Sequence, residues 1–263
     1  MLLQNKVAVI YGAGGAIGGA AARAFAGEGA RVFLTGRRRA AVEVVAKDIV
    51  AAGGAAEAAE VDALDEPAVD RHLLEVLGKA GRVDISFNAI GIPDAKILGV
   101  PLAELDTETF SLPITAYTRS YFLTAHLAAA HMIPKKSGVI MTVTALPARM
   151  GTRGNGGYGP AMAAKEALTR DLSAELAPHG IRVVGLRPHG IPETPTMAEL
   201  SEIRAKSSGL TWEQFTGYLA STTHTRRVMA LDEVANMAVF MASDKASGMT
   251  GTTVNLSMGT LAD

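Results

Sequence analysis

The stretch that most constrains the fold is "VAVIYGAGGAIGG", residues 7–19. Five apolar residues are followed by a glycine-rich turn and then by a segment with helical periodicity. Glycines allow a tight turn and a close approach of backbone to a pyrophosphate, which binds at the positive N-terminus of a helix. The stretch therefore predicts a strand, a nucleotide-binding turn and a helix, with a glycine-rich packing turn as the alternative. The predicted cofactor-binding residues of this turn are Gly12, Gly14, Gly15, Ile17 and Gly18.

The rest of the chain alternates short apolar runs with longer helical patterns, which is typical of βαβ units and a parallel sheet. Strands are predicted at residues 7–11, 31–35, 56–61, 83–88, 138–144, 182–187 and 253–256. Helices are predicted at residues 17–28, 40–52, 66–80, 107–133, 158–178 and 232–242. We therefore expect a single doubly wound α/β domain over residues 1–263, with a parallel seven-stranded sheet and helices on both faces.

The region from about 188 to 225 has the weakest periodicity and follows a late strand. Ligands of open α/β sheets bind beyond the carboxyl ends of the strands. This region is therefore predicted to be a lid over a substrate, and a long surface loop is the alternative.

Composition excludes several classes of function. A net charge of -1 argues against nucleic acid or an anionic membrane as the main partner. The absence of cysteine excludes disulfides and thiolate chemistry, and it fits a cytoplasmic protein. The uncharged run at 7–22 contains several glycines and is shorter than the ~20 residues that span a bilayer. No metal site is predicted, because the histidines and carboxylates lack credible spacing.

The second predicted strand ends in "FLTGRRR", which bears on the choice of cofactor. Enzymes that prefer NAD usually carry a carboxylate there, which binds the ribose 2′-hydroxyl. Gly36 takes that place, followed by Arg37 and Arg38, whose guanidinium groups suit a 2′-phosphate. NADP(H) is therefore the predicted cofactor. A solvated basic start to the next helix is the alternative, and it applies best to Arg39.

These motifs together resemble the short-chain dehydrogenase/reductase family over nearly the whole chain. The family's Thr-Gly-x-x-x-Gly-x-Gly turn is similar to residues 11–18, with Ala16 in place of the middle glycine. Residues 88–91 are similar to its Asn-Asn-Ala-Gly motif, and "ELAPHGIRV" at 175–183 is unaltered. The resemblance implies a Rossmann-type fold. It also implies cofactor contacts from Asp62, Asn88, Gly91, Ile191 and Thr194.

The catalytic residues of the family match less well. The family's tyrosine corresponds to Tyr158, but its serine, thirteen residues earlier, falls on Ala145. Its lysine, four residues after the tyrosine, falls on Met162, and its asparagine falls near Tyr117. The resemblance therefore implies a proton donor at Tyr158 without the usual oxyanion donor or ammonium group.

Three other residues are candidates for the missing roles. Lys165, seven residues after Tyr158, is predicted to lie on almost the same helix face and to act through a water. A solvent-facing lysine is the alternative. Thr144 offers a hydroxyl, although side chains of neighbouring strand residues point to opposite faces. His189 replaces a family glycine and could act as an acid or base near neutral pH, with an ordinary loop residue as the alternative.

The resemblance implies an NADP(H)-dependent oxidoreductase that reduces a small carbonyl or enoyl compound, with Tyr158 as proton donor. The competing hypothesis is an NADP(H)-binding homologue without turnover, acting as a sensor, scaffold or inactive subunit. The long helices at 107–133 and 158–178 correspond to those through which family members commonly pair. A homo-oligomer, a dimer or tetramer, is therefore expected, with no nucleic-acid or membrane partner.

Overall fold

The structure, a computed structural model, describes residues 1–92, 97–194, 197–198, 202 and 210–262. Its sheet has seven strands in the order β3-β2-β1-β4-β5-β6-β7, and every neighbouring pair is parallel. The strands are β1 (Val7–Tyr11), β2 (Arg31–Gly36), β3 (Ala55–Glu60), β4 (Ile85–Asn88), β5 (Gly138–Val143), β6 (Ile181–Pro188) and β7 (Thr252–Leu256). The predicted fold class is confirmed.

Seven α-helices have both ends within the described ranges, beside four 3-10 helices of three residues each. The α-helices are α1 (Ala16–Gly27), α2 (Arg39–Ala51), α3 (Glu66–Ala80), α4 (Thr107–Met132), α5 (Tyr158–Leu176), α6 (Trp212–Thr222) and α7 (Leu231–Ala242). Six of them match the predicted segments to within two residues at each end. Helix α6 was not predicted as a helix, although its start carries a capping box between Thr211 and Gln214.

The helices pack on both faces of the sheet because parallel strands are buried on both sides. Side chains alternate along β1, so Ala8 and Ile10 join one core with residues of α1, α2 and α7. Val7, Val9 and Tyr11 join the opposite core with residues of α3, α4 and α5. This alternation places α4 and α5 together on one face.

Strand order reverses between β1 and β4, which are neighbours in the sheet but not in the sequence. Tyr11 and Asn88, the last residues of these strands, are paired in the register. Ligands of doubly wound sheets bind at this kind of switch point, beyond the carboxyl ends of the strands. The glycine turn after β1 and the start of α5 after β5 both lie at this edge.

The predicted lid at 188–225 lies partly outside the described residues, since 195–196, 199–201 and 203–209 are not described. Helix α6 forms its second half. Phe215 of α6 is buried, whereas Trp212 and Tyr218 are exposed.

Candidate functional site

The glycine turn brings three backbone segments into close contact. Gly12 has a φ of 78°, and a Cβ there would lie 2.6 Å from the carbonyl oxygen of Ala89. A Cβ on Gly18 would overlap the carbonyl oxygen of Gly12. Gly14 lies against α2, where a Cβ would meet the Cβ of Ala41 at 3.0 Å. The turn therefore requires glycine at Gly12 and Gly18 for packing, in addition to any contact with a nucleotide.

Helix α1 begins directly after this turn. Its N-cap is Gly15, which makes no side-chain cap, and Ala16 and Ile17 are half-buried residues of the first turn. The first N–H groups of a helix have no partner within the helix. An N-terminus without a side-chain cap, at the switch point of the sheet, fits the pyrophosphate of a dinucleotide.

The residues predicted to bind the adenosine half lie in the loops after β2 and β3. Arg37 and Arg38 are exposed, whereas Arg39 is paired with Glu43 at 2.7 Å. Asp62 is exposed and accepts a hydrogen bond from the backbone N–H of Leu64 at 3.0 Å. Arg39 is thus paired with a carboxylate of its own helix, α2.

Asn88 is buried at the end of β4. Its amide donates to the Thr124 hydroxyl at 3.2 Å, while its Oδ1 accepts no hydrogen bond from the described residues. Gly91 follows in an exposed position where a Cβ would have free space. The segment after β4 therefore offers a buried acceptor and an uncrowded backbone beside the glycine turn.

Ile191 and Thr194 form a turn after β6. The Thr194 hydroxyl donates to the Ile191 carbonyl oxygen at 2.9 Å, and both residues are buried. His189, just before, is also buried, and its Nε2 lies 3.2 Å from the Thr222 hydroxyl of α6. Burial lowers the pKa of His189 below its ordinary value of 6.5. His189 is thus in hydrogen-bond contact with α6.

Tyr158 is the first residue of α5 and is half-buried. Its backbone N–H donates to the Asn155 carbonyl oxygen at 2.9 Å. Its ring packs edge-on against Tyr117 of α4, with centroids 5.7 Å apart. Both rings belong to an apolar cluster that includes the side chains of Ala145 and Met162.

The structure therefore brings together the residues that align with the family's tetrad. Ala145 and Met162 contact this cluster at the places of the expected serine and lysine, and Tyr117 stands at that of the asparagine. Met162 is 2% exposed, so Tyr158 has a thioether and not an ammonium group one turn further along α5. The surroundings of Tyr158 in this cluster are mainly apolar.

Thr144 is not directed toward this cluster. Its hydroxyl donates to Glu166 Oε1 at 3.2 Å, and a longer contact of 3.4 Å joins it to the Leu186 carbonyl oxygen. Glu166 is buried and also pairs with Arg187 at 3.0 Å and with Arg149 at 2.9 Å. Because side chains alternate along the extended chain, the hydroxyl of Thr144 and the methyl group of Ala145 face different surroundings.

Lys165 is not a solvent-facing lysine, since it is 1% exposed. Its Nζ donates to the carbonyl oxygen of Val143 at 2.7 Å. The same nitrogen lies 5.6 Å from the ring centroid of Tyr117 and 5.7 Å from that of Tyr121. Burial lowers the pKa of Lys165 to about 7. The lysine thus reaches toward the site, but it contacts Tyr117 and not the tyrosine predicted to be catalytic.

Sequence reasoning missed the two tyrosines of α4 as partners of Lys165. Tyr117 and Tyr121 are four residues apart, a spacing that places them on one helix face. That spacing was visible in the sequence, but the sequence does not show that this face meets α5. The buried Glu166–Arg187 pair was missed for the same reason.

No group of histidine and carboxylate side chains among the described residues could hold a metal ion. No helix in the described part of the chain is both long and apolar enough to cross a membrane.

Comparison with known proteins agrees with this geometry. A family model described as enoyl-(acyl carrier protein) reductase matches residues 12–260. The uncharacterized oxidoreductase YxbG of Bacillus subtilis (strain 168) is 31% identical over 260 residues, covering 99% of this chain and 92% of the relative. The 3-oxoacyl-[acyl-carrier-protein] reductase FabG of Thermotoga maritima is 27% identical, covering 98% of this chain and 99% of the relative.

Solved structures share the fold. Sorbitol-6-phosphate 2-dehydrogenase SrlD from Erwinia amylovora superposes with a TM-score of 0.91 at 26% identity, covering 97% of this chain and 100% of that chain. Other structures with this fold are described with NAD+ in one case and with NADPH in another. The match of fold, sequence and glycine turn leads to one conclusion: the chain belongs to the short-chain dehydrogenase/reductase family of oxidoreductases.

Proposed function

We propose that the protein is an NADP(H)-dependent oxidoreductase that reduces a small carbonyl or enoyl compound, with Tyr158 as proton donor. The observation that carries the proposal is the position of Tyr158. It begins α5 at the carboxyl edge of the sheet and is half-buried in an apolar cluster. A phenol held at the switch-point edge can protonate an oxyanion that forms there.

The residues at this edge fit a dinucleotide. The uncapped start of α1 suits the pyrophosphate, Asp62 and Asn88 suit the adenosine half, and Ile191 and Thr194 suit the nicotinamide end. Arg37 and Arg38 favour the cofactor with a 2′-phosphate, because no carboxylate stands at the end of β2. When bound, the cofactor supplies a hydride.

In this proposal the protein itself supplies the proton, which Tyr158 donates to the reduced substrate. An ordinary phenol has a pKa of ~10, so it is a fair acid but a poor base near neutrality. This favours reduction over oxidation. Ala145 has no oxyanion donor to offer, which favours acceptors whose product anion is delocalised. In an enoyl compound the hydride adds to the β-carbon, and the charge is shared between the oxygen and the α-carbon. The description of the matching family also supports an enoyl acceptor.

Thr144 and Lys165 are not assigned a direct contact with the substrate in this proposal. The hydroxyl of Thr144 is bound to Glu166, so we do not assign it an oxyanion role. The amine of Lys165 donates to the backbone carbonyl of Val143 and not to a group at the reacting edge.

Replacing Tyr158 by phenylalanine should lower kcat by about a hundredfold, because the substitution removes the proton donor and leaves the ring packing against Tyr117 in place. The measurement is NADPH oxidation with cyclohexanone and with 2-cyclohexenone as acceptors. Ser137→Ala removes an exposed hydroxyl just before β5, at the opposite edge of the sheet, and is the control that should retain activity. Equal activity of Tyr158→Phe and the wild type would reject Tyr158 as the donor.

Replacing Arg37 or Arg38 by alanine should weaken NADPH binding by about tenfold and leave NADH binding unchanged, because each removes a charge-assisted hydrogen bond to a 2′-phosphate. Titration by nucleotide fluorescence measures both affinities. Arg39→Ala is the internal control, since Arg39 is engaged by Glu43. Equal losses for NADPH and NADH in Arg37→Ala and Arg38→Ala would refute the assignment of the 2′-phosphate site.

A nucleotide-binding protein without turnover is the second candidate function. The apolar side chains of Ala145 and Met162 beside Tyr158 favour it, because they remove an oxyanion donor and an ammonium group from the site. Tight NADPH binding combined with no oxidation of NADPH by either acceptor would identify this function.

The proposal also includes a cytoplasmic homo-oligomer. Helix α4 exposes Leu112 and Phe122, which are apolar side chains that a second copy could cover. Size-exclusion chromatography with light scattering would measure the assembly, and a monomer at micromolar concentration would reject this part of the proposal.

A further inference from the structure

The amine of Lys165 is a buried cation that contacts the same tyrosine ring, Tyr117, as the proposed proton donor. It is held at three points: by the Val143 carbonyl oxygen and by the faces of two tyrosine rings of α4. Cations placed over aromatic faces within ~6 Å are attracted by the ring quadrupole. The lysine therefore has a defined position and is not a flexible chain that happens to point inward.

Tyr117 connects this amine to Tyr158. The cation lies at the face of the Tyr117 ring, while Tyr158 packs edge-on against that ring at 74°. The Tyr117 hydroxyl accepts a hydrogen bond from the backbone N–H of Ile92 at 3.3 Å, which holds the ring in place. Tyr117 is 5% exposed, so the ring that both groups contact is largely shielded from solvent.

The charged groups next to Lys165 in the described part of the chain have other partners or face solvent. Glu166, its neighbour in the sequence, is engaged by Arg187 of β6 and by Arg149. Arg119 of α4 is exposed. Burial is what lowers the pKa of Lys165, with no carboxylate among the described residues to offset it. Within the described ranges, therefore, no counter-ion cancels the field of the ammonium group.

We propose that Lys165 is a positioning residue that acts on Tyr158 through the ring of Tyr117, and that its buried ammonium group favours the anionic form of Tyr158 as that residue gives up its proton. This inference rests on the proposed function. It differs from direct contact between a lysine and the catalytic tyrosine, because here the two groups contact the same buried aromatic ring.

The proposal predicts a specific pH dependence. Lys165 is charged below a pH of about 7 and neutral above it. Its help to Tyr158 is therefore present at pH 6 and lost as the pH rises through about 7. His189 is another titratable group at this edge of the sheet; burial lowers its pKa from the ordinary 6.5, and it contacts α6. His189 is unchanged in the variants below, so its contribution cancels in the comparison.

The test is the pH profile of kcat between pH 6 and 8.5, measured with saturating NADPH and 2-cyclohexenone, which does not titrate in this range. We expect the wild-type kcat to fall about fivefold across the range, as the field of one partly screened charge would give. Lys165→Met should remove the inflection and give a flat profile at the level that the wild type reaches at high pH.

Two variants of Tyr117 distinguish a positioning role of the ring from a simple folding defect. Tyr117→Phe retains the ring and should retain the inflection. Tyr117→Leu removes the ring that stabilises the charged lysine and links it to Tyr158, so the inflection should move to lower pH and the fall in kcat should become smaller. A merely structural defect would lower kcat equally at every pH.

An active wild type whose inflection persists in Lys165→Met would overturn this inference and leave the proposed function intact. A wild type that oxidises NADPH with no acceptor at any pH would overturn the proposed function and this inference with it.

Discussion

Replacing Ala145 by serine and Met162 by lysine together should raise kcat for reduction of cyclohexanone by roughly a thousandfold. A single oxyanion donor is worth about 10²–10³ in kcat in other enzymes. An ammonium group one turn after Tyr158 would favour its phenolate form. Both side chains already contact the cluster around Tyr158, so the new groups would enter the site without moving the backbone.

Two buried amines on one helix face would repel each other. A triple variant that adds Lys165→Met removes this repulsion and should be at least as active as the double variant. The measurement is the rate of NADPH oxidation, with each single substitution as a control. If neither the double nor the triple variant exceeds the wild type, the apolar residues at these two positions are not what limits turnover.

Replacing Lys165 by methionine should remove a pH dependence of folding stability. The folded state holds Lys165 with a pKa of about 7, against 10.5 for an ordinary lysine. Between these values the unfolded chain binds one proton more than the folded chain, so the free energy of unfolding rises with pH. The expected slope is about 1.4 kcal/mol per pH unit, or roughly 3 kcal/mol between pH 7 and 9.5.

Below pH 7 Lys165 is charged in both states, and the cost of burying the ammonium group is then at its largest. Lys165→Met should therefore stabilise the protein most at low pH and least at high pH. The scan should end near pH 9.5, because burial also raises the pKa of Tyr11 and Tyr121. Those two phenols lower stability once the unfolded tyrosines ionise above about 10.

Urea unfolding at several pH values measures this slope. Lys135→Met replaces an exposed lysine and should leave the slope unchanged. An identical slope in Lys165→Met and the wild type would show that Lys165 is not held in its neutral form by the fold. This measurement needs no substrate, so it locates the titration of Lys165 independently of turnover.

The sequence by itself determined the layers of the fold. The apolar run at β1, the turn from Gly12 to Gly18 and the alternation that follows predict the parallel sheet and the helices on both faces. These features are local: a strand buried on both faces must be apolar along its length, and a helix on a sheet must carry an apolar stripe. The sequence also predicted that Ala145 and Met162 take the places of the family's serine and lysine, because this depends only on spacing along the chain.

Tertiary structure alone decided what the side chains near Tyr158 contact. Helical spacing placed Lys165 on the face of Tyr158, but it could not show that this face meets Tyr117 and Tyr121 of α4. Strand alternation suggested that Thr144 points away, but it could not show that a buried Glu166 binds its hydroxyl. The physical reason is that periodicity fixes the direction of a side chain relative to its own element, whereas burial, charge state and partners depend on which elements pack against it.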